Sequence, residues 1–201
     1  MRLYKTAHDF AQRYPISAAA IAAGLKGVSA DQCVQRFVEK RSGPSIDWRR
    51  TVFFANFGWL YVGVGQYAIF NGAFPLALRS VDFAAGRLRR AAAMTFLDSC
   101  VHLPFVYLPL FYCSREAFTN EASAWKESIK KGVNTWRTNL LHDCTLQAAI
   151  FVPIQGFNFY FNPAHLRVPF IVAAGYIWMI VLSVCRGEEG LNSLENEADE
   201  I

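Results

Sequence analysis

Asp98 and His102 lie four residues apart in a stretch that is otherwise free of charge, and Gln155, Asn158 and Arg167 interrupt a second apolar stretch. On a helix, positions i and i+4 share one face, so the carboxylate and the imidazole stack and can hydrogen-bond or exchange a proton. Gln155 and Asn158, three apart, share a face in the same way, and each amide can both donate and accept. Two chemistries suit such a set. It can line a polar pore or act as a titrating gate. Alternatively it is an internal clamp, with Asp98 accepting from an Asn, Gln or Arg of a neighbouring helix. In lipid a carboxylate costs at least about 2.5 kcal/mol, so it must be paired, protonated or wet in either case. The clamp is the favoured reading of Asp98. Metal and catalytic chemistry find no support: His102 has no third ligand at a usable spacing. Nor is there a Walker loop, a dinucleotide glycine fingerprint, a G-x-S-x-G elbow or an H-E-x-x-H pair. The expectation is no catalytic residue, no metal and no cofactor.

The elements that would hold these residues are apolar. Residues 51–78 contain no charge and are bracketed by Arg49, Arg50 and Arg79; 91–114, 144–162 and 168–185 are three further candidate spans. Crossing a hydrocarbon core takes roughly 20 residues, so part of 51–78 is expected at the interface. A buried helix of a soluble bundle would show polar faces every 3.6 residues, and 51–78 shows almost none. The chain is 53% hydrophobic with 17 Phe and 5 Trp, more than a soluble domain of this length needs, and Tyr, Trp and Phe near the span ends suit an aromatic belt. Mean hydropathy is only +0.18, because the charge is crowded into ends and connectors. The predicted fold is therefore an all-α membrane protein, a bundle of four transmembrane helices over 51–185. An amphipathic helix within 14–40 is expected to precede it, packed on the bundle and partly inserted. In that helix Ala20 and Gly24, and Ala23 and Gly27, form small-xxx-small pairs that let two backbones approach. Residues 186–201 form an acidic tail. Pro153 is expected to kink its helix, and Asn162-Pro163 to end it, since the residue before proline resists the α region.

The spacing of the polar residues also resembles a known signature. Gln155 stands three before Asn158-Phe159, Pro163 five beyond Asn158, and Arg167 four further; Trp178 follows by eleven, and Leu182-Ser183 ends the run. This is similar to the C-terminal pattern of the Mpv-seventeen / 22-kDa peroxisomal membrane protein family. Upstream, Asp98 and Pro104 match its D-Q-x-x-x-x-P with Ser99 for the glutamine. Tyr14-Pro15, Gly24, Gly27, Asp31 and Gln35 look like its opening pattern. Val64, Gln66 and Val152 depart from it. The resemblance implies packing roles for Pro104, Phe159, Pro163, Trp178, Leu182 and Ser183. It also implies an organellar membrane, the mitochondrial inner membrane first and the peroxisomal membrane second.

Arg167 falls in the connector between the last two spans. It is read either as a snorkelling interfacial charge or as an arginine reaching Asp98 or the last carbonyls of the preceding helix. The five cysteines are scattered without a C-x-x-C and read as buried small hydrophobes. Residues 1–50 carry nine Lys and Arg against four in 79–90, which places the N-terminus, the 115–137 loop and the tail on the more basic side. Residues 1–15 show no apolar core before a cleavage site, so a secretory signal is not expected, and Asp9 speaks against a transit peptide. The expected partners are the lipid bilayer and neighbouring subunits of a membrane complex, not nucleic acid. The expected function is channel-like transport or membrane homeostasis. The alternative is a structural accessory subunit of a respiratory-chain or ATP-synthase complex, and an enzyme comes last.

Overall fold

The computed structural model describes residues 2–79, 86–119 and 125–177. Trp178, Leu182, Ser183, the end of the expected fourth span and the acidic tail lie outside them. The described residues form helices and no strand. In chain order these are α1 (Arg2–Arg13), α2 (Pro15–Cys33, continued by the wide turn Val34–Val38) and α3, which opens as Trp48–Phe57 and runs on to 77. Then come α4, which opens as Arg87–Leu97 and closes as Leu108–Thr119, α5 (Trp125–Phe161) and α6 (Ala164–Ile177).

Polarity is distributed as a lipid solvent would demand. Asp31, Gln35, Thr51, Thr95, His102, Ser128, Gln155 and Asn158 are buried, while Leu25 (65%), Trp59 (51%), Phe105 (62%) and Phe157 (50%) stand exposed. Water would select the reverse, whereas helices in lipid pack small and polar residues against one another. This corrects the expected amphipathy of α2. Its inner face carries Ala19, Ala20, Ala23 and Asp31, and its outer face carries Ile16, Ile21 and Leu25.

Composition singles out one of the four expected spans: among the described residues one helix, covering Arg87–Phe118, is both long and apolar enough to cross a membrane. α3 has the length, but its glycines, Trp59, Tyr61, Tyr67, Gln66 and the asparagines dilute an otherwise uncharged run. The expected 144–162 segment is the second half of a 37-residue helix, about 55 Å long at 1.5 Å per residue and so longer than a hydrocarbon core. The supposed loop 115–137 is helical at both ends. Pro153 sits inside α5 without ending it, and α5 stops at Phe161, just before Asn162-Pro163.

α2 and α3 meet backbone to backbone. A β-carbon added at Gly63 would strike Ala20, at Gly58 the carbonyl of Ala23, and at Gly27 the carbonyl of Phe54. The small-residue pairs of α2 thus face small residues of α3. A polar clamp closes the near end of this contact. Asp31 Oδ1 accepts from Arg50 Nε at 2.6 Å, and its Oδ2 accepts from Gln35 Nε2 at 2.7 Å and Thr51 Oγ1 at 2.6 Å. Gln35 also accepts from the Asp47 amide at 2.7 Å, while Asp47 caps α3 through the Arg50 amide at 2.9 Å. Arg50 Nη1 reaches on to Glu39 at 2.6 Å.

Between α3 and α4 stand Phe53, Phe57 and Tyr61, one turn apart, with Phe57 in ring contact with Tyr107 (5.8 Å) and Phe111 (5.4 Å). α5 approaches α4 closely at Gly132, where a β-carbon would come within 2.6 Å of the Cys113 Cα. The central apolar core joins Phe70 and Phe74 of α3, Met94 of α4, Phe159 of α5, and Val168 and Val172 of α6.

Gly63→Ala is expected to destabilise the bundle by about 1–3 kcal/mol, because the colliding atoms are backbone and cannot turn aside. Gly72→Ala, whose β-carbon meets nothing within 4 Å, should be neutral or stabilising by up to about 1 kcal/mol. Melting of the purified chain in detergent compares the two. The hydrogen bond from Arg50 holds Glu39 below the usual carboxylate range. With a depressed folded pKa, its contribution is present above the unfolded value and lost as pH falls through the folded one. The melting difference between wild type and Glu39→Gln should therefore be full above about pH 5 and close as pH falls below about 4.

Candidate functional site

α4 holds its polar residues in a stretch of wide turns. Pro104 has no amide hydrogen to donate, and around it the helix opens over Asp98–Tyr107. The Leu108 amide donates to the carbonyl of Leu103 rather than to that of Pro104. The Pro104 carbonyl instead accepts the indole N–H of Trp136 from α5 at 2.9 Å. Asp98 and His102 keep their i, i+4 pairing, Nδ1 to Oδ1 at 2.7 Å.

Both oxygens of Asp98 are engaged. Oδ1 meets His102, and Oδ2 accepts from Gln155 Nε2 of α5 at 2.6 Å. The second nitrogen of His102 meets the Tyr61 hydroxyl of α3 at 2.9 Å. Beyond Gln155, whose Oε1 accepts from Asn158 Nδ2 at 2.9 Å, the same Asn158 nitrogen donates to the Arg167 carbonyl of α6 at 3.1 Å. Asn162 Nδ2 donates to Asn158 Oδ1 at 2.9 Å. Asn158 is wholly buried, 0% exposed. Asp98, His102, Gln155 and Asn158 thus form one network across α3, α4, α5 and α6.

Arg167 joins this network through its backbone, not its side chain. It sits inside α6 rather than in a connector, and its guanidinium bonds to neither Asp98 nor the last carbonyls of α5. Nη1 donates to the Phe70 carbonyl at 3.3 Å and to Asn71 Oδ1 at 3.1 Å, both on α3. It lies 5.7 Å from the Phe159 ring. Asn71 returns a bond to the Ala164 carbonyl at 3.2 Å. The Arg167 side chain therefore bonds to α3 while stacking on Phe159 of α5. Phe159 packs edge-on against Phe70 at 5.2 Å, Pro104 is buried in the wide turns, and Pro163 is exposed at the start of α6.

A cavity of about 140 Å³ opens beside the network, with Asp98, His102 and Gln155 on its wall together with Lys26, Gln66, Ser99, Tyr107 and Gln147. A second cavity of about 510 Å³ adjoins it, since Lys26, Tyr107, Gln147 and Phe151 line both, and extends to Tyr112 and Asp143. Sequence reasoning missed Tyr61, Lys26, Gln66, Tyr107 and Gln147. For Tyr61 a signal existed: it is the fourth of Phe53, Phe54, Phe57 and Tyr61, an aromatic row at helical spacing ending in a hydroxyl. Among the described residues no group of three His, Cys, Asp or Glu is placed to hold a metal. The arrangement can hold water, relay a proton along Asp98, His102 and Tyr61, and lock four helices in register.

Asn158→Leu should leave insertion unchanged, because insertion follows apolar length, and should lower stability by about 1–2 kcal/mol. It leaves the Arg167 carbonyl and the Gln155 oxygen without their donor. Membrane extraction and detergent melting measure the two quantities separately.

Neither comparison with curated proteins nor comparison with solved structures gave a match. A family model does match, over residues 121–183. Those residues include Gln155, Asn158, Phe159, Pro163 and Arg167 as well as Trp178, Leu182 and Ser183, the positions whose spacing carried the resemblance. The segment that supplies α5 and α6 to this site is thus similar to the Mpv17 / PMP22 family.

Proposed function

We propose that this protein passes small polar solutes across an organellar membrane, between its helices and past the wall formed by Asp98, His102 and Gln155. The mitochondrial inner membrane is the first location and the peroxisomal membrane the alternative. The observation that carries the reading is the pair of adjoining cavities, about 140 and 510 Å³, with Lys26, Asp98, Gln147 and Asp143 set in largely apolar walls among helices whose outer faces carry large apolar residues. A cavity between helices with charged and amide groups on its wall holds water, and in a membrane protein such spaces mark solute paths. The surrounding partner is the lipid bilayer. No chemical step is part of this reading, so the protein is proposed as a non-enzyme.

A structural accessory role in a larger inner-membrane complex is the second reading. It is favoured by the hydrogen bonds that run from Asp98 to Gln155, Asn158 and the Arg167 carbonyl, which join helices rather than face a solute. Migration on a mild native gel with a respiratory or ATP-synthase-sized complex would support it over a free protein.

Purified chain in liposomes should pass small uncharged polar solutes, measured by osmotic swelling. Gln147→Phe, which puts a ring into the space shared by both cavities, should cut the rate severalfold with an unchanged melting temperature. Flux absent in wild type, or unaffected by the ring, overturns this pathway.

A further inference from the structure

The polar groups around the central cavity divide into two sets. Asp98 and Asp143 are its carboxylates and those of the adjoining space, and both are engaged. Asp98 is bound by His102 and Gln155, and Asp143 accepts from the Tyr112 hydroxyl at 2.6 Å and lies 3.5 Å from His142. The other set consists of a cation, amides and hydroxyls without a bond. Lys26, on the inner side of α2, makes no ion pair with any described carboxylate. Its ammonium lies over α6, where a β-carbon at Gly175 would collide with it. The amides of Gln66 and Gln147 and the hydroxyls of Ser99 and Tyr107 line the same space. None of them has a hydrogen-bond partner among the described residues.

One cation without a counter-ion, with the nearby carboxylates already paired, leaves the cavity short of negative charge. A carboxylate supplies that charge on two oxygens with about four acceptor positions, and the charge makes each bond roughly twice as strong as a neutral one. Volume limits the rest of the ligand. An engineered cavity of about 150 Å³ admits benzene, which has six carbons, and this cavity measures about 140 Å³. Val62, Leu103, Phe151, Ile171 and Val172 provide an apolar wall for a short chain.

We propose that the central cavity binds a small free carboxylate of about six non-hydrogen atoms. Its head group contacts the Lys26 ammonium and its chain lies against Val62, Phe151 and Val172. Gly175 keeps the space for the ammonium, and Gln66, Gln147, Ser99 and Tyr107 offer the remaining donors. The proposal names the solute class of the pathway inferred above and rests on that reading for its role. Binding itself is measured without flux.

Saturation-transfer NMR of the detergent-solubilised full chain, with butyrate as probe and butyramide as its uncharged counterpart of equal size, tests it. Wild type should bind butyrate at least tenfold more tightly than butyramide. The preference should vanish in Lys26→Met and persist in Lys26→Arg, which keeps the charge. Equal binding of the two probes to wild type overturns the proposal without recourse to any variant, as does a preference that survives Lys26→Met. Chloride competing as well as butyrate would reassign the site to inorganic anions, and decanoate binding far more tightly would reassign it to a lipid carboxylate; either overturns the small-carboxylate assignment. Butyrate binding without solute flux in liposomes would keep the site and overturn the pathway. Flux without the butyrate preference would do the opposite.

Discussion

A carboxylate enclosed by helices has to find its hydrogen bonds in the protein, and at Asp98 that requirement connects four helices. One oxygen is met from its own helix by His102, the other from α5 by Gln155. Neither partner ends the chain. His102 leads to Tyr61 on α3, and Gln155 leads through Asn158 to the backbone of α6. The asymmetry of buried hydrogen bonding makes this restrictive. A bond contributes only about 1 kcal/mol when made, but a buried group left without one costs about 1–3 kcal/mol. Sliding any one of these helices by a turn would strand several groups together. The network sets register more than it adds stability.

Register alone does not bring helices together, and in lipid the apolar effect between them is weak. The contact of α2 with α3 supplies close backbone packing instead. Ala20, Ala23 and Gly27 meet Gly63, Gly58 and the Phe54 carbonyl with no side chain between. At the near end Asp31, Gln35, Arg50 and Thr51 repeat the principle seen at Asp98, a carboxylate satisfied from two helices. The outer faces are then free to carry Leu25, Trp59, Phe105 and Phe157. Small residues inside, large apolar ones outside and polar groups paired across helices are parts of one arrangement.

How much of this could be read from the residues depended on whether the relevant partner was local. The pairing of Asp98 with His102 follows from a spacing of four, and the shared face of Gln155 and Asn158 from a spacing of three. The small-residue pairs of α2 announced a close contact without naming α3. Tyr61 and Lys26 stayed hidden because their importance depends on how α2 and α3 cross α4, which no spacing within one helix encodes. Arg167 was misjudged for the same reason: its side chain turns to α3, a neighbour 96 residues earlier in the chain. The expected span over 51–78 rested on an absence of charge, which is not the same as apolarity. Residues 51–78 have no charge, yet glycine, tyrosine, tryptophan and amides make up much of them. The length of α5 was underestimated because its charged first half, with Lys126, Lys130, Lys131 and Arg137, reads as a connector while forming uninterrupted helix.

The pathway and clamp readings of Asp98 need not compete, because different atoms of α4 serve them. The Asp98 oxygens and the His102 ring are committed to α3 and α5, whereas Ser99 and Tyr107, on the same helix, face the cavity without partners. At about 1–3 kcal/mol for each unmet polar group, a dry cavity with an ammonium, two amides and two hydroxyls on its wall would offset most of the stability of a domain this size. Such a cavity therefore contains water or a solute whenever the bundle is folded. The bonded network beside it gives that water a rigid wall, since a helix free to slide would close the space. In this protein the clamp is what allows a polar cavity to stay open inside an apolar bundle.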